Sequence, residues 1–141
     1  MRATLRLIAS VFLFGTVLAC NDSGGKVQGV VTISAALENQ LSPNAVLYIA
    51  ARTPGISAGP PLAVKRFTQP IHFPVEFTLS GQDSMIADRP FKGRVMIKAR
   101  VSQSGTAIPA MSGDLEPSMP PPEVEVGSST NVTLEINQKH P

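Results

Sequence analysis

The sequence predicts an all-β domain, an antiparallel β-sandwich of Ig-like architecture with about seven short strands, behind a cleaved N-terminal signal peptide. Three observations carry the prediction. Apolar and polar residues alternate at period two in several short runs, the clearest being Arg94-Val95-Met96-Ile97-Lys98-Ala99-Arg100-Val101. The 13 Pro and 11 Gly fall mainly between those runs, where they act as turn punctuation. Only residues 35–41 read as helical, and for a single turn. There is 1 Cys and no Trp, so the Cys-Trp-Cys hallmark of antibody domains is missing and only the architecture is implied.

The chain opens on a targeting segment, residues 1–19. Arg2 and Arg6 form the positive end, and residues 7–18 form an apolar stretch shorter than the ~20 residues a spanning helix needs. It closes on Val17-Leu18-Ala19-Cys20, which resembles the bacterial lipobox. Small Ala19 lies at the expected signal-peptidase cleavage site, and the Cys20 thiol is the expected lipid attachment site. One acyl chain binds a membrane marginally and two or more hold it stably; the three chains of bacterial lipoproteins, which the resemblance implies, would make a lasting anchor. Palmitate is among the expected acyl groups. Residues 20–25 read as a lipidated flexible tether and 26–141 as the sandwich domain. Asn21 stands where lipoprotein sorting rules expect aspartate for inner-membrane retention, which favours the outer membrane. With its one cysteine committed to lipid, the fold is expected to hold without a disulfide.

The strands follow in order. Residues 27–34 place Val27, Gly29, Val31 and Ile33 on one face. Residues 45–52 are almost continuously apolar, as in a strand central in its sheet. A Pro/Gly/Ser loop over 53–61 precedes a short strand at 62–67, and prolines on both sides of that strand suit a sheet edge. Val75, Phe77 and Leu79 make a half-buried strand. The strand from Arg94 to Val101 is the most strongly patterned and should sit centrally, with Val95, Ile97, Ala99 and Val101 inward. Residues 102–113 are loop chemistry around Gly105 and Pro109, and Pro117 with Pro120-Pro121-Pro122 reads as a rigid connector. Val124 and Val126, then Val132, Leu134 and Ile136, are expected to form a closing pair around the Gly127-Ser128-Ser129 turn.

Charge and composition weigh against several function classes. Removing Arg2 and Arg6 from 12 Lys+Arg leaves 10 against 10 Asp+Glu, so the mature domain has no electrostatic case for nucleic acid. His72 and His140 are too few for a metal site, and no Cys-x-x-Cys-His haem attachment exists. Ser84 beside Asp83, and Ser112 before Gly113, lack the context of an activated nucleophile and read as loop hydrogen bonding. No catalytic, cofactor-binding or metal residue is assigned, and the expectation is a non-enzyme without a cofactor. Glu123 and Glu125 share a solvated strand face. The one patterned polar surface is the basic row Arg94, Lys98 and Arg100. It reads either as a solvated or edge-protecting face or as a docking face for a partner or for lipid headgroups.

A family resemblance runs through the chain after Cys20. Ala99-Arg100-Val101-Ser102 with Ser104-Gly105, then Ala107, Pro109 and Gly113-Asp114-Leu115, resembles the C-terminal periplasmic domain of the cytochrome c-type biogenesis protein CycH family. Gly29-Val30-Val31, Ala51-Arg52, residues 61–66, Phe77-Thr78-Leu79 and Val124 to Gly127 match in the same order. The resemblance implies an assisting or scaffolding role in cytochrome c maturation in the bacterial periplasm. Its partners would be apocytochrome c or maturation subunits, with membrane lipid bound through acylated Cys20. That family normally adds membrane helices and helical repeats, and neither pattern occurs here. The alternative expectation is a structural or envelope-interaction lipoprotein unrelated to cytochrome c.

Overall fold

The computed structural model describes residues 24–141; the expected signal peptide, with Ala19 and Cys20, lies outside the described residues. Strand β1 (Val27–Ile33) leads through a one-turn helix α1 (Ala35–Glu38) to β2 (Val46–Arg52), β3 (Ala63–Thr68) and β4 (Val75–Leu79). After a 3-10 turn (Gly81–Asp83) come β5 (Arg94–Ser102), β6 (Leu115–Glu116), β7 (Glu123–Glu125), β8 (Asn131–Ile136) and β9 (Gln138–Lys139). They form an Ig-like sandwich of two sheets. One has the order β4-β1-β8, and the other runs β3-β2-β5-β6-β9 with β7 also on β5. The strands read from sequence are all present, and the two-residue β6 and β9 add a small ladder at one edge.

Period-two alternation decides the packing. From β5, Val95, Ile97, Ala99 and Val101 are buried, and from β2 so are Leu47, Ile49 and Ala51. Opposite them, Val27 and Val31, Val75, Phe77 and Leu79, and Val132, Leu134 and Ile136 complete one continuous core. Apolar area removed from water stabilises such a core by roughly 25 cal/mol per Å². β5 is central, with β2 on one side and β7 and then β6 on the other.

The closing pair expected around Gly127 is not formed. β7 pairs with β5, Val124 facing Val95, whereas β8 pairs with β1 in the other sheet. The 127–129 turn therefore carries the chain across the sandwich instead of folding a hairpin. Both segments bury their alternating apolar residues, but against opposite sides of the core. The β1–β8 pair is parallel, Gly29 matching Val132 and Ile33 matching Ile136, while every other ladder is antiparallel.

β3 does lie at the edge of the larger sheet, as its flanking prolines suggest. An isolated bridge between Ala63 and Ser84 covers its first residue. Lys65 points inward along it, donates from Nζ to the Thr78 carbonyl at 2.7 Å, and lies 3.6 Å from the Asp83 carboxylate. An inward lysine at an edge opposes strand addition, because a pairing strand must desolvate it. The chain enters at one end of the sandwich. There the Gly127 amide donates to the Lys26 carbonyl (3.0 Å) and the Val126 amide to that of Gly93 (2.9 Å).

Candidate interaction face

The outward side chains of the larger sheet form a grid set by its register. Arg66, Tyr48 and Arg100 lie in one cross-strand row; Val64, Ala50 and Lys98 lie in the next. Arg52 and Met96 follow, then Arg94 opposite Glu125. Tyr48, Ala50, Val64 and Met96 are half-buried and form a low apolar floor. Cations surround it on neighbouring positions.

The three residues of the basic row separate into different roles. Arg100 is not free to dock. Its guanidinium donates to Asp114 Oδ2 at 2.9 Å and also to the Ala107 carbonyl, and the Asp114 side chain is almost wholly buried. The same carboxylate accepts from the amides of Gln103 (3.0 Å) and Met111 (3.0 Å). Arg100 and Asp114 thus tie down the 103–113 loop, and a buried carboxylate needs such donors to offset its desolvation. Tyr48 adds a hydrogen bond from its hydroxyl to the Gly105 carbonyl (2.7 Å), where Gly105 takes a φ of 82° that other residues rarely adopt.

Arg94 is exposed and 3.7 Å from Glu123, so its charge is partly countered. Lys98 is exposed and makes no ion pair among the described residues. The sequence row missed Arg66 and Arg52. Arg66 is exposed and makes no ion pair among the described residues, and Arg52 donates to the Gly59 carbonyl at 2.8 Å. Only the strand register brings them beside Lys98, although the alternation within residues 45–52 and 62–67 could have put them on one face. The opposite outer face, on β4, β1 and β8, carries exposed Glu76 and Glu135 and no cation at its outward positions. The smaller sheet's outer face is thus acidic, whereas that of the larger sheet combines its cations with Glu116, Glu123 and Glu125.

The remaining candidates resolve into structural roles. Ser84 Oγ donates to the Ile86 carbonyl (2.9 Å). Asp83 and Ser80 form a reciprocal cap on the 3-10 turn. His72 is exposed, and His140 Nδ1 lies 3.1 Å from Glu116. Among the described residues no three His, Cys, Asp or Glu side chains converge as a metal site would require. A cleft of about 560 Å³ runs beside β1 and β4, and its titratable groups are Glu76 and Lys65, the latter already held by Thr78 and Asp83.

Residues 27–137 match the cytochrome c-type biogenesis protein H Ig-like domain. The chain belongs to this family. The match spans the described sandwich from β1 through β8, so the family's Ig-like domain and the observed fold coincide. No curated protein matches the chain. Among solved structures, the chain is similar to an alternative pilotin from the type II secretion system of Vibrio cholerae. The TM-score is 0.52 at 17% identity, covering 84% of this chain and 99% of that one. At that identity the likeness is one of fold.

Proposed function

We propose that this chain is a lipid-anchored periplasmic protein that assists or scaffolds cytochrome c maturation through protein–protein contacts, without catalysing a reaction. The observation that carries the reading is the family match over the sandwich, 27–137. The lipobox at 17–20 supports the anchor, and Asn21 favours the outer membrane. For the contacts themselves, the exposed part of the β3 edge beyond Lys65 offers main-chain groups to an unfolded segment, a sequence-tolerant mode that suits apocytochrome.

Two measurements test this reading. Labelled palmitate should enter the wild-type chain and not Cys20→Ser; equal labelling of the two would remove the anchor. The soluble domain should recover haem-free cytochrome c or maturation subunits in a pull-down. Recovery of neither, with other envelope proteins enriched instead, would favour a structural envelope lipoprotein, the reading in which the pilotin-like fold serves a different assembly.

A further inference from the structure

We propose that the outer face of the larger sheet lies against the anionic headgroups of the membrane that holds the anchor, and so fixes the orientation of the domain. The inference rests on the lipid-anchor reading for its geometry. Arg52, Arg66 and Lys98 sit on adjacent strands around the half-buried floor of Ala50, Val64 and Met96, with Arg94 at the end of the grid. Between the 103–113 loop held by Arg100 and Tyr48 and the Gly59 loop held by Arg52, these residues make a cation-rimmed apolar strip whose charge suits anionic headgroups.

The position of the chain's start chooses between a membrane and an acidic protein. Lys26 is held beside Gly127, and Val126 beside Gly93, so the described chain begins at the end of the grid where Arg94 stands. From Gly24 back to Cys20 the chain can span at most about 14 Å when fully extended. An acylated Cys20 would therefore keep the bilayer near this end of the sandwich, and the charge of the two outer faces decides which of them turns toward it. Standing on that end, the domain would leave Lys98 roughly 13 Å beyond Arg94, outside the ~8 Å Debye length at physiological salt. Lying on the outer face of the larger sheet brings all four cations within reach of the headgroups. The same pose turns Glu76 and Glu135, on the opposite face, toward water. Glu123 and Glu125 flank Arg94 and weaken that corner, so the attraction is concentrated at Arg52, Arg66 and Lys98.

The test uses the non-acylated domain, residues 24–141, which contains both sheets and the whole described core. It is sedimented with vesicles of phosphatidylcholine alone or with phosphatidylglycerol added, at low and at physiological salt. Binding should require phosphatidylglycerol and weaken as salt rises. Arg66→Glu with Lys98→Glu should lower the partition coefficient by about 30-fold or more. Glu76→Gln with Glu135→Gln should leave it unchanged, and urea melts of both variants confirm that they fold. Equal binding to both vesicle types, or undiminished binding of the Arg66/Lys98 variant, overturns the proposal. So does capture by soluble polyglutamate with none by vesicles, which would assign the face to an acidic protein. Because this domain lacks Cys20, the outcome is independent of the palmitate experiment.

Discussion

The two sheets bury one core by different means. The larger sheet supplies it with side-chain bulk: Leu47, Ile49, Val95, Ile97 and Val101 are all fully buried on β2 and β5. The smaller sheet supplies it partly by leaving side chain out. At the centre of β1, Gly29 stands in register with Phe77 on one side and Val132 on the other. A β-carbon there would lie 2.2 Å from the Val132 carbonyl oxygen and 2.7 Å from the Phe77 ring. The ring covers the glycine, so the strand that lacks a side chain at its centre still contributes to a filled interior. The first sheet is therefore sensitive to what its side chains are, and the second to how closely its backbones approach.

The sharpest way to break the first half of that contrast is Ile97→Asp. The substitution removes a fully buried aliphatic side chain and puts a carboxylate among Ala51, Val95 and Ala99 with no cation to meet it. The cost should be several kcal/mol, comparable with the ~5–15 kcal/mol total stability of a small domain. A urea melt should find the variant unfolded or close to it; a midpoint near wild type would mean that β5 faces the other way.

Gly29→Ala tests the second half with the smallest possible side chain. Because the nearest atom is backbone oxygen, no rotamer change can relieve the contact, and the parallel β1–β8 ladder must shift. A destabilisation of about 1–3 kcal/mol is expected, although alanine is ordinarily better than glycine in a strand. Adding Phe77→Leu should recover only a minor share, since the oxygen contact remains. A wild-type melt for Gly29→Ala would show that the close approach carries no weight.

The contrast also explains what the sequence could disclose. Alternation in 94–101 states directly which residues face inward, and the structure agrees at each of them. Continuous apolarity in 45–52 and the prolines around 62–67 gave the central and edge positions for similarly local reasons. The partner of β8 is a different kind of information. Val132, Leu134 and Ile136 satisfy their pattern against either sheet, and the Gly127 turn suits a crossing as well as a hairpin. The choice of β1, roughly a hundred residues earlier and parallel, follows from global packing. For the site, alternation located Lys98 and Arg100 on the outer face. It could not tell that the Arg100 guanidinium is bound by Asp114. Period two fixes the direction in which a side chain leaves the strand; where a long side chain ends depends on loops that fold back over it.

The smallest expected effect belongs to Lys98→Asp, and it is informative because it should be small. Lys98 is one residue from Ile97 and points to the opposite side of the same strand, with no ion pair to lose among the described residues. Its replacement should change stability by roughly 0.5 kcal/mol or less in the same urea melt. A large loss would place Lys98 in a supporting contact like that of Arg100 and end its candidacy for the headgroup face. Unchanged stability together with weaker binding to phosphatidylglycerol vesicles would separate the two sides of β5, with Ile97 holding the sandwich together and Lys98 available to the membrane.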